Sequence, residues 1–123
     1  MVSANSDFND LFTYLLANSL LTPRQIAIIS KRLHGGGKVE NMSSGAYYRQ
    51  VKQCRDKVTA ILYSVVLLQS TGMLQQDALA SLSRLANQLS VIFASGDSDI
   101  SNNQNIKDVM RVIDQLIKRI SIL

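Results

Sequence analysis

The chain has 123 residues, of which 46% are hydrophobic and 18% charged. That length and composition suit one folded domain that buries its own core, and they exclude disorder along the whole chain. The single cysteine, Cys54, excludes an internal disulfide, and with a single histidine, His34, zinc sites built from several such ligands are excluded too. No metal or other cofactor is expected.

The net charge of +4 is unevenly spread. Between residues 24 and 57, eight basic side chains (Arg24, Lys31, Arg32, Lys38, Arg49, Lys52, Arg55, Lys57) face two acids, Glu40 and Asp56, whereas residues 58 to 123 carry five of each sign. A positive field confined to one third of a chain points to an anionic partner such as nucleic acid or a membrane surface. The start, "MVSANSDFND", has neither a basic nor an apolar leader region, and the longest apolar stretch, "VTAILYSVVLL", falls short of the roughly 20 residues that a bilayer span needs. A cytoplasmic protein with no membrane partner is the expectation.

Apolar residues recur at spacings of three and four nearly throughout, and Pro23 is the only proline, which predicts an all-α fold of five helices. The first, about 6–20, places Phe8, Leu11, Phe12, Leu15 and Leu16 on one stripe. In "LTPRQ", Thr22 is a candidate N-cap and Pro23 occupies the first helical position, where its missing N–H costs nothing. The second helix turns Ile26, Ile29 and Leu33 inward and stops at Gly35. After a glycine-rich loop to about Met42, Ser43 or Ser44 caps a third helix of roughly 25 residues. Its apolar positions Val51, Cys54, Val58, Ile61, Val65 and Leu68 step by three and four, and Thr71 and Gly72 end it. A fourth helix, about 75–95, repeats the pattern with Leu79, Leu82, Ala86, Leu89 and Phe93, and Gly96 closes it. Beyond a polar linker at 95–105, the last helix carries Ile106, Val109, Ile113, Leu116, Ile120 and Leu123. Seams of this kind build helical bundles and coiled coils, and they serve packing within the chain or a homodimer equally well.

The loop "HGGGK" invites a phosphate-binding reading, which its surroundings exclude. A Walker-type loop needs a strand before it, a glycine five residues before the last one and a hydroxyl after the lysine; here Arg32 and Val39 hold those positions and a helix precedes. The contiguous glycines also fit no dinucleotide fingerprint. With Lys31, Arg32 and His34 before it and Lys38 within it, the loop suits a wing against a sugar-phosphate backbone, or simple slack. The segment "SSGAYYRQVKQCRDK" then opens the third helix with Tyr47 on the core side and Tyr48, Lys52 and Arg55 sharing an adjoining face, with Arg49 further round. A recognition helix has this layout: its first turns meet bases and phosphates while the remainder is buried in protein. No catalytic constellation assembles, because Glu40 is the only glutamate and the aspartates lie mostly at helix starts or in linkers. The chain reads as a non-enzyme.

The run "LTPRQIAIISKRLHGG" resembles the opening of helix-turn-helix domains of the LuxR and sigma-factor region 4 kind. It departs from them in replacing the short second helix and tight turn by a loop of about eight residues. The layout from about 20 to 70 resembles small archaeal proteins of uncharacterised function with a helix-turn-helix-like or winged-helix N-terminal half. That resemblance implies nucleic-acid binding.

The expectation is one domain, with a basic, helix-turn-helix-like part at 1–58 and a helical bundle or dimerisation part at 59–123. Arg24, Lys31, Arg32, Lys38, Tyr48, Arg49, Lys52 and Arg55 are the candidate contacts to duplex DNA, in a transcriptional regulator acting as a homodimer. Two alternatives stand beside it: a protein-interaction bundle working through its apolar seams, and single-stranded RNA binding with Tyr47 and Tyr48 as stacking platforms.

Overall fold

The computed structural model describes residues 4–35, 42–95 and 103–123. Its order is α1 (Ala4–Ala17), α2 (Pro23–Leu33), α3 (Ser44–Ser70), α4 (Ala78–Ser95) and α5 (Asn103–Ile120). The all-α expectation is met, with five helices among the described residues. They divide into two compact units, one of residues 16–67 and one of residues 1–15 with 68–123. Residues 58 and 59, the predicted division between a basic and a bundle part, lie in the middle of α3; the division between units comes at its last turn.

The unit of residues 16–67 is built on α2 and most of α3. Thr22 caps α2 as read from the sequence, and it does so reciprocally: its hydroxyl accepts from the Gln25 amide at 3.1 Å while the Gln25 side-chain carbonyl accepts from the Thr22 amide at 2.9 Å. This capping box satisfies two amides that a helix start leaves unpaired. At the other end the His34 amide donates to the Ser30 carbonyl, and Gly35 takes φ +72°, a left-handed conformation that favours glycine. Ser43 begins α3, its hydroxyl accepting from the Ala46 amide at 3.1 Å. Between these caps Ile28, Met42, Tyr47, Val51 and Cys54 form a small core, with Ile29 and Ala46 packed against it.

Two expectations on α2 change. Ile28, not Leu33, is the residue driven fully inside, and Leu33 is 77% exposed. The last turn of a short helix projects past the layer its middle covers, so apolar spacing alone placed Leu33 wrongly. On α3 the predicted seam is buried only at Val51 and Cys54; Ile61 and Val65 are half-buried, and Val58 and Leu68 are exposed.

The other unit packs the start of α1 with α4 and α5. Leu11, Leu89, Ile106 and Ile113 form its core, flanked by Tyr14, Leu15, Leu85, Ile92, Phe93, Val109 and Met110. Phe12 meets Phe93 edge to face with ring centres 5.9 Å apart, and the Tyr14 hydroxyl donates to the Met110 carbonyl at 3.2 Å. The α5 seam is borne out at Ile106, Val109, Ile113, Leu116 and Ile120, all buried or half-buried. Leu123 is instead exposed, because the helix ends at Ile120. In α4 the inward row is Ala78, Leu82, Leu85, Leu89 and Ile92, with Phe93 beside it; Leu79 and Ala86 face out. The row shifts by one residue at its start, where Ala78 is fully buried and Leu79 is 49% exposed.

Residues 71–77 hold a feature with no periodic signature. Gly72 ends α3 at φ +79°, the Met73 amide reaching back to the Leu68 carbonyl at 3.0 Å. The chain then runs antiparallel to the C-terminal residues: the Gln75 amide donates to the Ile120 carbonyl at 2.7 Å and the Ile122 amide to the Met73 carbonyl at 2.8 Å, around an isolated bridge between Leu74 and Ser121. This pairing satisfies a carbonyl at the end of α5 and pins the C-terminus. The predicted stop at Gly96 and the linker before α5 fall largely outside the described residues.

Candidate nucleic-acid interface

Two short pieces of helix carry most of the candidate residues. Arg24 stands in the first turn of α2, Lys31 and Arg32 stand in its last turn, and Tyr48, Arg49, Lys52 and Arg55 occupy the first half of α3. All are exposed. Lysine and arginine at the C-terminal end of α2 also complement the negative end of the helix dipole, so their placement has a local cause independent of any ligand. His34 serves that same end: its Nδ1–H donates to the Ser30 carbonyl at 2.8 Å. Lys38 and the glycines at 36 and 37 lie outside the described residues.

The orientation of α3 follows from its core side. Tyr47, Val51 and Cys54 are buried on one face, which turns Tyr48, Lys52 and Arg55 to the side and Arg49 to the far face. Tyr48 is 62% exposed and meets Tyr47 edge to face, ring centres 5.4 Å apart. The pair of stacking platforms required by the single-strand alternative therefore reduces to one, since Tyr47 is 2% exposed. The Tyr47 hydroxyl is buried and has no hydrogen-bond partner among the described residues.

The charges differ in how they are held. Lys52 pairs with Asp56 one turn on, Nζ to carboxylate 2.9 Å, with both side chains mostly in solvent. An exposed pair of this kind contributes about 0.5 kcal/mol and yields readily to a stronger anion. Arg24, Lys31, Arg32, Arg49, Arg55 and Lys57 make no ion pair with any described carboxylate. On α5, by contrast, Arg111 holds Asp108 at 2.9 Å and Lys118 holds Asp114 at 3.0 Å.

Between α2 and α3 runs a groove of about 270 Å³ floored by Ile28, Ile29, Val51 and Cys54 and rimmed by Arg32, Leu33, Arg55, Val58 and Thr59. Two guanidinium groups thus border an apolar slot. Cys54 lies at its floor, and burial pushes its thiol up from the ordinary value near 9, so it stays neutral and unreactive. Its Sγ sits 3.8 Å from the Gln25 carbonyl as a weak donor. This is the small apolar role read from the sequence.

Among the described residues no group of three or more His, Cys, Asp and Glu side chains assembles a metal site, and no helix is long and apolar enough to cross a membrane. The distal half of α3, which a recognition-helix layout buries in protein and the protein-interaction alternative leaves as an apolar seam, stands in solvent: Leu62, Tyr63 and Val66 are 60%, 74% and 65% exposed. No charged residue occurs between 58 and 70. The chain matches no family model, no curated protein and no solved structure.

Proposed function

We propose that the chain is a non-enzymatic, cytoplasmic DNA-binding protein, serving in transcriptional regulation, that engages duplex DNA through α2, the glycine-rich loop after it and the first half of α3. The observation that carries this reading is that Arg24, Lys31, Arg32, Arg49 and Arg55 are exposed on those two helices and pair with no described carboxylate, whereas Arg111 and Lys118 on α5 are paired. Free cations on a rigid scaffold release counterions from a polyanion on binding, and that release supplies sequence-independent affinity. Arg24, Lys31 and Arg32 suit phosphate contacts from α2, and Lys38 from its loop. Tyr48, Arg49, Lys52 and Arg55 suit phosphate or base-edge contacts from α3, where an arginine can pair with guanine in the major groove. A homodimer would present two such surfaces to a pseudo-palindromic site.

The test is binding to random-sequence duplex DNA across a salt series, beside Arg49→Ala/Lys52→Ala/Arg55→Ala. The reading requires affinity that falls log-linearly with salt, with a slope shallower by about 0.9 per lost phosphate contact in the variant. Absence of binding at low salt by the folded protein would refute it. One observation favours a second reading, a helical protein-interaction module: the exposed, uncharged distal half of α3. Association through that surface alone would be nearly insensitive to salt.

A further inference from the structure

The distal half of α3 is the least economical surface of the unit that holds it. Val58, Leu62, Tyr63, Val66 and Leu67 are exposed by 37%, 60%, 74%, 65% and 64%. A solvated helix face normally carries charge, and this one carries none from 58 to 70. The exposed apolar residues elsewhere are of a different kind. On α5, Val112 and Ile117 stand among Lys107, Asp108, Arg111, Asp114, Lys118 and Arg119. On α4, Leu79 and Val91 lie about three turns apart.

We propose that this stretch of α3 is the seam of a homodimer in which α3 of two copies pair antiparallel about a two-fold axis passing between Leu62 and Tyr63. Three considerations select a second copy as the occupant and this orientation for it. The first is area. Leu62, Tyr63 and Val66, flanked by Val58 and Leu67, present on the order of 500 Å² per copy, so a pair that covers all five buries at most about 1,000 Å², the lower bound of a specific interface.

The second is register. Thr59, Leu62, Tyr63 and Val66 step by 3, 1 and 3 along one side of the helix, and reversal about the point between 62 and 63 maps that set onto itself. Leu62 falls opposite the second copy's Tyr63 and Thr59 opposite its Val66, which is the self-complementarity a two-fold interface needs.

The third is charge. Tyr48, Lys52 and Arg55 continue the same side toward the N-terminus. A parallel pair would set Lys52 against Lys52 and Arg55 against Arg55 along its whole basic half. In the antiparallel pair Arg55 meets the uncharged Ser70, and Lys52 lies beyond the end of the other helix, which is Ser70.

The pairing rests on the nucleic-acid reading only for its use. At 1.5 Å per residue, the two Lys52 positions lie about 30 Å apart along the paired helices. That is close to the 34–36 Å of one duplex turn, so the dimer suits half-sites about one turn apart.

The test uses the full chain without DNA. Sedimentation should give a species of twice 13.6 kDa. Leu62→Glu/Val66→Glu should return it to monomer with unchanged helix content, since both side chains are exposed within the chain, while Val112→Glu on α5 should leave the dimer intact. A nitroxide at Lys52→Cys in a Cys54→Ala background should report an interspin distance near 30 Å. A monomeric wild type, or a dimer indifferent to Leu62→Glu/Val66→Glu, overturns the seam; an interspin distance of about 10–15 Å overturns the antiparallel orientation. Because no nucleic acid is present, failure here is read separately from failure of the salt series on DNA.

Discussion

The two units solve the problem of a helix surface in opposite ways. In the unit of α1, α4 and α5, the inner face is closed by Leu11, Leu89, Ile106 and Ile113, and on the outer face of α5 two of the cations are held by an aspartate three or four residues away. In the unit of α2 and α3, a core of five buried residues covers only the first half of the long helix. Its cations stand mostly unpaired, and the distal half of α3 is left apolar in solvent. Neutralised charge and a closed core are what a scaffold requires; unpaired charge and uncovered apolar surface mark places where other molecules bind. The difference concentrates both candidate surfaces on one helix, basic at its start and apolar toward its end.

The sharpest way to break this comparison is through the two cores. Ile28→Ala and Ile113→Ala each empty a fully buried site and should cost about 2–5 kcal/mol. If the units keep separate cores, hydrogen exchange should show Ile28→Ala releasing amides of α2 and early α3 while α4 and α5 stay protected, and Ile113→Ala the converse. Uniform loss of protection in both variants would show that the units fold as one.

Next in size is the effect on DNA. Arg49→Ala/Arg55→Ala should weaken duplex binding by roughly 10-fold or more at low salt, whereas Arg111→Ala/Lys118→Ala, which removes two cations already paired, should change it less than 2-fold. Equal losses in fluorescence anisotropy titrations would mean that total charge matters and its distribution does not.

Smaller effects sharpen the local picture. Thr22→Ala removes one half of the capping box and should lower stability by about 1 kcal/mol, measured by urea denaturation. Tyr47→Phe removes a buried hydroxyl that has no partner among the described residues, so it should be neutral or stabilise by up to about 1 kcal/mol; a loss of that size would reveal a partner for the hydroxyl.

The smallest effect concerns pH. Burial raises the Cys54 thiol in the folded chain, so its contribution is fully present below the unfolded value near 9 and is lost as pH rises through the folded one. Cys54→Ala should flatten the alkaline decline of stability, and thiol reagents should label Cys54 only as fast as the unit opens.

How much of this was legible depends on what each signal encodes. Helix ends were readable because caps are local chemistry: Thr22, Pro23, Ser43, Gly35 and Gly72 each act on amides or carbonyls within a few residues. The α5 seam was readable because one face of that helix meets one core from Ile106 to Ile120. Spacing failed where apolar residues surround the helix, as between 58 and 70, because periodicity then names no preferred face. It failed again for Leu33, in the last turn of a short helix, and for Leu79, whose neighbour Ala78 takes the buried position. The pairing of Gln75 with Ile120 had no sequence signal, since it joins backbone groups distant along the chain. For the candidate interface both the basic residues and their pairing were legible, because every ion pair among the described residues joins side chains three or four apart: Arg111 and Lys118 follow an aspartate at that spacing, and Arg49 and Arg55 have no acid there.

The most direct measurement of the central claim is an amide correlation spectrum of the labelled protein titrated with duplex DNA. The account predicts shifts confined to residues 24–57, with the amides of α4 and α5 unmoved at saturating duplex. Shifts centred on α4 or α5, or none at low salt, would contradict it.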